Sequence, residues 1–121
     1  MLSPEEQAIF DRARYPQYSG HLKEVTTTAE GANVSCGDEI LWEIQIINNT
    51  LTALRHSGRA CAICVASADL IAERLEGQSL DTLRALQADE VLKSLVIPLS
   101  PTRSKCALLP FETMRQILEK A

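Results

Sequence analysis

The sequence predicts a single α+β domain containing an antiparallel sheet, and three observations carry that reading. Ile40, Trp42, Ile44 and Ile46 alternate with Leu41, Glu43 and Gln45, the period-two pattern of a strand with one buried face. Asn48-Asn49 follows, a pair that tolerates positive φ and suits a tight turn, and Leu51 to His56 continues as the return strand. From Ala62 to Glu76 the pattern becomes helical, with Ile63, Ala66, Leu70 and Arg74 on one line, Leu75 beside them and Gly77 placed to end the helix. With 121 residues, 45% of them hydrophobic, the chain can build one core and is too short for two ordinary domains, so residues 1–121 read as one unit.

The remaining elements follow from local signals. Ser3-Pro4-Glu5-Glu6 sets an N-cap serine before a first-turn proline and a glutamate at the third helical position, which starts a helix running to about Arg14. Pro16 to Gly20 reads as a turn, Leu22 to Thr28 as a β-branched edge strand, and Ala29 to Ser35 as a small-residue loop. Ser79 caps a short helix to about Leu86, and Asp89-Glu90 opens another to about Leu95. Pro98 and Pro101 then bracket a loop. Phe111, Met114, Ile117 and Leu118 recur at helical spacing in a last helix over Phe111 to Lys120, with Pro110 in its first turn; a start near Lys105 would instead put Pro110 inside the helix and bend it.

Composition excludes several functions. The net charge is -4 and the 12 basic residues are scattered, so the chain lacks the clustered cations that neutralise nucleic-acid phosphates. No apolar run approaches the roughly 18 residues that span a bilayer, and the acidic start lacks the features of an export signal. The expected setting is the cytoplasm, where thiols stay reduced, which argues against a disulfide framework for the four cysteines. His56, Ser67 and Asp69 do not suggest a hydrolase, because there is no G-x-S-x-G elbow and nothing to make the three converge; His56 reads as a strand-surface side chain.

The cysteines carry the functional signal. Cys36, Cys61 and Cys106 are far apart in sequence, yet each sits near an expected element boundary, and Cys36 is followed by Gly37 and Asp38. Thiolates bind soft or borderline metals, and helix N-termini favour the thiolate through their free N–H groups; Cys61, and Cys106 if it precedes the last helix, have such positions. Gly37 would let the backbone turn closely around an ion, and Asp38 offers an oxygen. Three sulfurs and a carboxylate suit a four-coordinate zinc or a two-iron cluster with two ligands per iron. Cys64, which makes a C-x-x-C with Cys61, is open to three readings: a packing residue, a reserve thiol, or half of a redox pair.

Cys36-Gly37-Asp38, then Gly58-Arg59-Ala60-Cys61-Ala62-Ile63-Cys64-Val65-Ala66-Ser67-Ala68, then Ser104-Lys105-Cys106-Ala107 together resemble the iron–sulfur assembly scaffold family of the NifU N-terminal domain, which includes the IscU and SufU proteins. The likeness covers nearly the whole chain. It implies a three-stranded antiparallel sheet packed against helices, with Cys36, Asp38, Cys61 and Cys106 converging at one exposed end to hold a transient [2Fe-2S] cluster. It also implies a cysteine desulfurase as sulfur donor and acceptor apoproteins as recipients. Cys106, beside a mobile Pro98 to Arg103 loop, is the expected persulfide acceptor, with Lys105 favouring its thiolate.

The markers within the family are mixed. Lys105, where many IscU-type members have histidine, looks like the SufU type, whose members bind Zn2+ and act as sulfur acceptors. The interval from Cys61 to Cys106 lacks the insertion common in SufU proteins. Leu99-Ser100-Pro101-Thr102-Arg103 matches the IscU chaperone-recognition motif only loosely. Cys64 stands where relatives usually have serine or alanine, so the resemblance gives it no role.

Overall fold

The computed structural model describes residues 1–120, with side chains through Glu119. Helix α1 (Pro4–Arg14) is followed by strands β1 (Thr27–Asn33), β2 (Asp38–Ile47) and β3 (Thr50–Ser57). Helices α2 (Ala62–Leu75), α3 (Leu80–Ala85), α4 (Ala88–Ser94), α5 (Pro101–Arg115) and α6 (Ile117–Lys120) complete the order. The sheet is antiparallel throughout, in the order β1-β2-β3. The expected α+β architecture is therefore what forms.

Local chemistry accounts for the best-defined elements. Ser3 accepts from Glu6 N–H at 3.1 Å while Glu6 accepts from Ser3 N–H at 3.2 Å, the reciprocal capping box of α1. Asn48 (φ 50°) and Asn49 (φ 63°) both take the left-handed conformation that turns β2 into β3 with matching twist. Ile40, Trp42 and Ile44 on β2 and Leu54 on β3 point into the core beneath α2 and α5. Trp42 is completely enclosed; its indole N–H donates to the Pro110 carbonyl of α5 at 3.0 Å, and its ring meets His56 edge-on.

Several expectations are corrected. The edge strand runs over Thr27–Asn33, not Leu22 to Thr28, because α5 crosses it too closely for large side chains: a Cβ on Gly31 would lie 2.0 Å from Thr113 Oγ1. Leu22 to Thr26 instead passes beside β2, with Leu22 N–H donating to Glu43 and Thr26 N–H to the Ile44 carbonyl. The last long helix starts at Pro101, capped by Ser100, so Pro110 lies inside it and Cys106 lies in the helix rather than ahead of it. Residues 101–103 are thus helical, and only Leu95 to Ser100 remain between α4 and α5.

The buried face of α2 is also broader than its sequence stripe. Arg74 is exposed and pairs with Glu90 at 2.6 Å, Leu70 is half-buried, and Cys64, Ala68, Ile71, Ala72 and Leu75 are buried because α1, α5 and β3 enclose the helix. His56 is buried, not on the strand surface. Its Nε2 lies 3.0 Å from Asp69, which also receives Gln17 N–H, Tyr18 N–H and the Arg12 guanidinium. Histidine and aspartate therefore do meet, but Ser67 donates to the Ala107 carbonyl at 2.6 Å, so the three form no catalytic triad.

Gly31→Ala is expected to destabilise the fold by about 1–3 kcal/mol, the usual range for forcing extra atoms into a packed site. Denaturant unfolding of Gly31→Ala and of the Gly31→Ala/Thr113→Ala pair checks it, since the pair should recover most of the loss. A stable single variant would contradict the close crossing.

Candidate metal centre

Backbone geometry at the start of β2 brings three separate segments together. Val34 to Gly37 joins β1 to β2, with the N–H groups of Cys36 and Gly37 donating to the Asn33 carbonyl at 3.1 and 2.9 Å. Gly37 adopts φ +74° in open space, so glycine is required there by conformation and not by crowding. The turn leaves Cys36 exposed and puts Asp38, the first residue of β2, on the core face at 2% exposure.

The segment after β3 then passes against the start of β2. Gly58 has φ +124°, and a Cβ there would sit 2.3 Å from the Glu39 carbonyl oxygen; Glu39 N–H donates to the Arg59 carbonyl at 2.6 Å. This contact delivers Cys61 to Asp38. Cys61 is the N-cap of α2, as its sequence position suggested, and its N–H donates to Asp38 Oδ1 at 2.8 Å. Its sulfur lies 3.9 Å from Asp38 Oδ2.

Cys106 arrives from α5. One ligand atom each from Cys36, Asp38 and Cys106 lies within 4.8 Å of the others, while Cys61 joins this group through Asp38. Four donors from β2, α2, α5 and the β1–β2 turn therefore converge, two of them exposed and two buried. Zinc–sulfur bonds near 2.3 Å and zinc–oxygen bonds of 2.0–2.2 Å place tetrahedral donors about 3.5–3.8 Å apart. The donors would have to draw together to close on one ion, and their chemistry fits both zinc and iron.

Electrostatics act on the two buried thiols in the same direction. Burial pushes the Cys106 thiol up, and its contacts with Asp38, Cys36 and Cys61 push it further in the same direction. Cys64, fully buried behind Cys61, is raised by burial first and then by the negative charge of Asp38 and Cys61. Pro110 affects Cys106 too. A proline has no N–H, so the Cys106 carbonyl lacks its ordinary helical donor, and the turn that carries the cysteine is weakened.

The sequence singled out the four donors but not the carboxylate's second task. One Asp38 oxygen anchors the N-terminus of α2 while the other faces the thiols. The signal for this was present in the N-cap position of Cys61: cysteine makes no side-chain cap there, and the α2 terminus must find an acceptor elsewhere.

A family model for the NifU-like N terminal domain matches residues 4–120. The chain belongs to this family. Among members with curated names, the NifU-like chain is 29% identical to the iron-sulfur cluster assembly scaffold protein IscU of Thermotoga maritima, over 94% of its own length and 92% of the relative's. Two solved structures share its fold. The N-terminal part of a NifU-like protein from Brucella abortus has a TM-score of 0.73 at 25% identity, covering 98% of this chain and 95% of that one. A scaffold candidate for the SUF system from Fervidobacterium islandicum AW-1, FiSufU, has a TM-score of 0.77 at 22% identity, covering 95% and 94%. Among the described residues of this NifU-like chain no helix is long and apolar enough to cross a membrane.

Because the Cys106 proton is held above its ordinary range, zinc must displace it on binding to this group. Apparent zinc affinity should therefore fall as pH is lowered, with at least one proton released per ion near neutral pH. Calorimetric titration in buffers of differing ionisation enthalpy checks this, and heats independent of the buffer would contradict it.

Proposed function

We propose that the chain is a scaffold on which iron and desulfurase-derived sulfur assemble into a [2Fe-2S] cluster that is then passed to acceptor apoproteins. The convergence of Cys36, Asp38, Cys61 and Cys106 from separate elements at an accessible end is the observation that carries this reading. Iron and sulfide are the cargo. Cys36, Cys61 and Cys106 supply thiolates and accept sulfur, and Asp38 supplies the oxygen ligand. A carboxylate is the harder partner for iron in such a cluster, so its bond is the one expected to yield first when the cluster leaves.

Cys106 is the proposed persulfide acceptor, though it lies within α5 and not beside a mobile Pro98 to Arg103 loop as expected. It is 4% exposed, so a desulfurase must draw it out of α5, and the missing hydrogen bond opposite Pro110 lowers the cost of opening that turn. Cys36, exposed on the turn before β2, is the thiol a donor meets without such a movement. Lys105 is exposed on the turn that carries Cys106. The loose chaperone motif lies across the start of α5, where Pro101 to Arg103 are helical; a chaperone that reads an extended peptide would have to unwind it.

A second reading is a zinc-binding sulfur acceptor of the SufU type, a sulfurtransferase for its desulfurase. The 4.8 Å grouping of Cys36, Asp38 and Cys106 favours it, since a single ion needs little rearrangement of donors already that close. Lys105 supports it as well.

Anaerobic purification, metal analysis, and addition of iron with a sulfide source separate the two. Sulfide-dependent visible absorption, with transfer to an apoferredoxin, is expected of the scaffold; tightly held zinc that resists iron and accelerates a desulfurase would sink it. Asp38→Ala should slow cluster release to the apoferredoxin by about tenfold, the kinetic equivalent of about 1.4 kcal/mol. Unchanged transfer removes the proposed role of the carboxylate.

A further inference from the structure

Cys61 and Cys64 occupy the N-cap and third positions of α2, and Cys64 takes no part in the proposed donor set. The same two positions in α1 show what this geometry allows. Ser3 has φ -67° and ψ 161°, Cys61 has φ -67° and ψ 164°, and in α1 the cap hydroxyl accepts from the third residue's backbone N–H at 3.1 Å while that residue's carboxylate accepts from the cap's backbone N–H at 3.2 Å. Cys61 and Cys64 lie three apart across one helical turn, where side chains start about 5–6 Å between Cβ atoms, and a negative charge on Cys61 is felt by the Cys64 thiol. A disulfide needs about 3.5–4.5 Å between Cβ atoms, an adjustment of about 1–2 Å within the first turn.

The environments of the two thiols differ in the way a sequential reaction requires. Cys61 is exposed and its side chain makes no cap bond, so its sulfur is open to reagents from solvent. Cys64 is completely buried and lines a 180 Å³ cavity with Pro16, Ser19, His56, Ala60 and Ala68. Cys64 itself has no exposed surface, which shields its sulfur from bulky reagents in solvent.

The geometry points to a further activity of the sulfur-accepting site: the Cys61–Cys64 pair is an internal two-electron reductant that converts a persulfide on Cys61 to sulfide. This rests on the reading of Cys61 as a sulfur acceptor. The Cys64 sulfur gives up its proton and attacks the inner sulfur of Cys61–S–SH. The persulfide S–S bond breaks, hydrosulfide leaves and takes the proton, and a Cys61–Cys64 disulfide forms. The departing sulfur is reduced from the sulfane to the sulfide state, and the two cysteine sulfurs are oxidised. An external dithiol then attacks the exposed Cys61 sulfur and restores both thiols, itself becoming a disulfide.

Metal-free full-length protein carrying Cys36→Ser and Cys106→Ser, loaded anaerobically with inorganic polysulfide and freed of excess reagent, isolates the pair. Peptide mass mapping should show a Cys61 persulfide decaying to a Cys61–Cys64 disulfide, with about one sulfide released per persulfide lost. Adding Cys64→Ala should slow sulfide release by about tenfold or more, with persulfide retained on Cys61. The same disulfide should be found after polysulfide treatment of the unsubstituted chain, which keeps the test valid if a variant folds poorly. A stable Cys61 persulfide with Cys64 present overturns the inference alone. Absence of persulfide from Cys61, with persulfide on Cys36 or Cys106 of the unsubstituted chain, also overturns it, whereas no persulfide on any cysteine overturns the sulfur-acceptor reading too.

Discussion

The Asp38 carboxylate is the constraint on which the site depends. It is buried at the first residue of β2, and a buried carboxylate without partners would be costly; here one oxygen accepts the Cys61 N–H and the other faces the thiols. Holding the N-terminus of α2 at that point fixes Cys61 beside the β1–β2 turn. The conformations of Gly37 and Gly58 make the arrangement reachable, one by reversing the chain after Cys36 and the other by letting the segment before α2 touch the backbone of Glu39. Removal of the carboxylate would therefore loosen a helix end as well as remove an oxygen donor.

A second buried carboxylate secures the same helix from its middle. Asp69 collects Gln17 N–H, Tyr18 N–H, His56 and Arg12, and so ties α1, the segment after it and β3 to α2. Burial by itself would raise its pKa, but the hydrogen bonds from His56, Tyr18 and Gln17 outweigh that and hold it below the ordinary value. A depressed folded-state pKa means that its stabilisation is complete above the ordinary carboxylate range and is lost as pH falls through the folded value. The far side of α2 is thus fixed by a charge network while its N-terminus rests on one carboxylate, which leaves the cysteine end as the adjustable part. Donors from separate elements couple ion binding to the ordering of those elements.

The local parts of the fold were legible in the sequence because their signals are local. The Ser3-Pro4-Glu5-Glu6 cap, the Asn48-Asn49 turn and the alternation along β2 each act within a few residues. β1 was not legible, because Gly31 is small for a reason that lies on α5, far away in sequence. The start of α5 was misplaced although Ser100-Pro101 repeats the Ser3-Pro4 signal; Pro110 offered a competing start, and only its packing over Trp42 shows the helix running through it. The convergence of the four donors was expected from a family resemblance, and the membership is now established over residues 4–120. What no pattern indicated was burial: Cys106 and Asp38 are enclosed while Cys36 and Cys61 face solvent, a division set by tertiary packing alone.

The proposed donor set is Cys36, Asp38, Cys61 and Cys106, with Cys64 outside it. X-ray absorption at the zinc edge of zinc-loaded protein tests this most directly, because it counts sulfur and oxygen donors whatever the protein's cargo proves to be. About three sulfurs near 2.3 Å and one oxygen at 2.0–2.2 Å is the result the account predicts. A four-sulfur shell, which would require Cys64, or a shell of oxygen and nitrogen alone would contradict it.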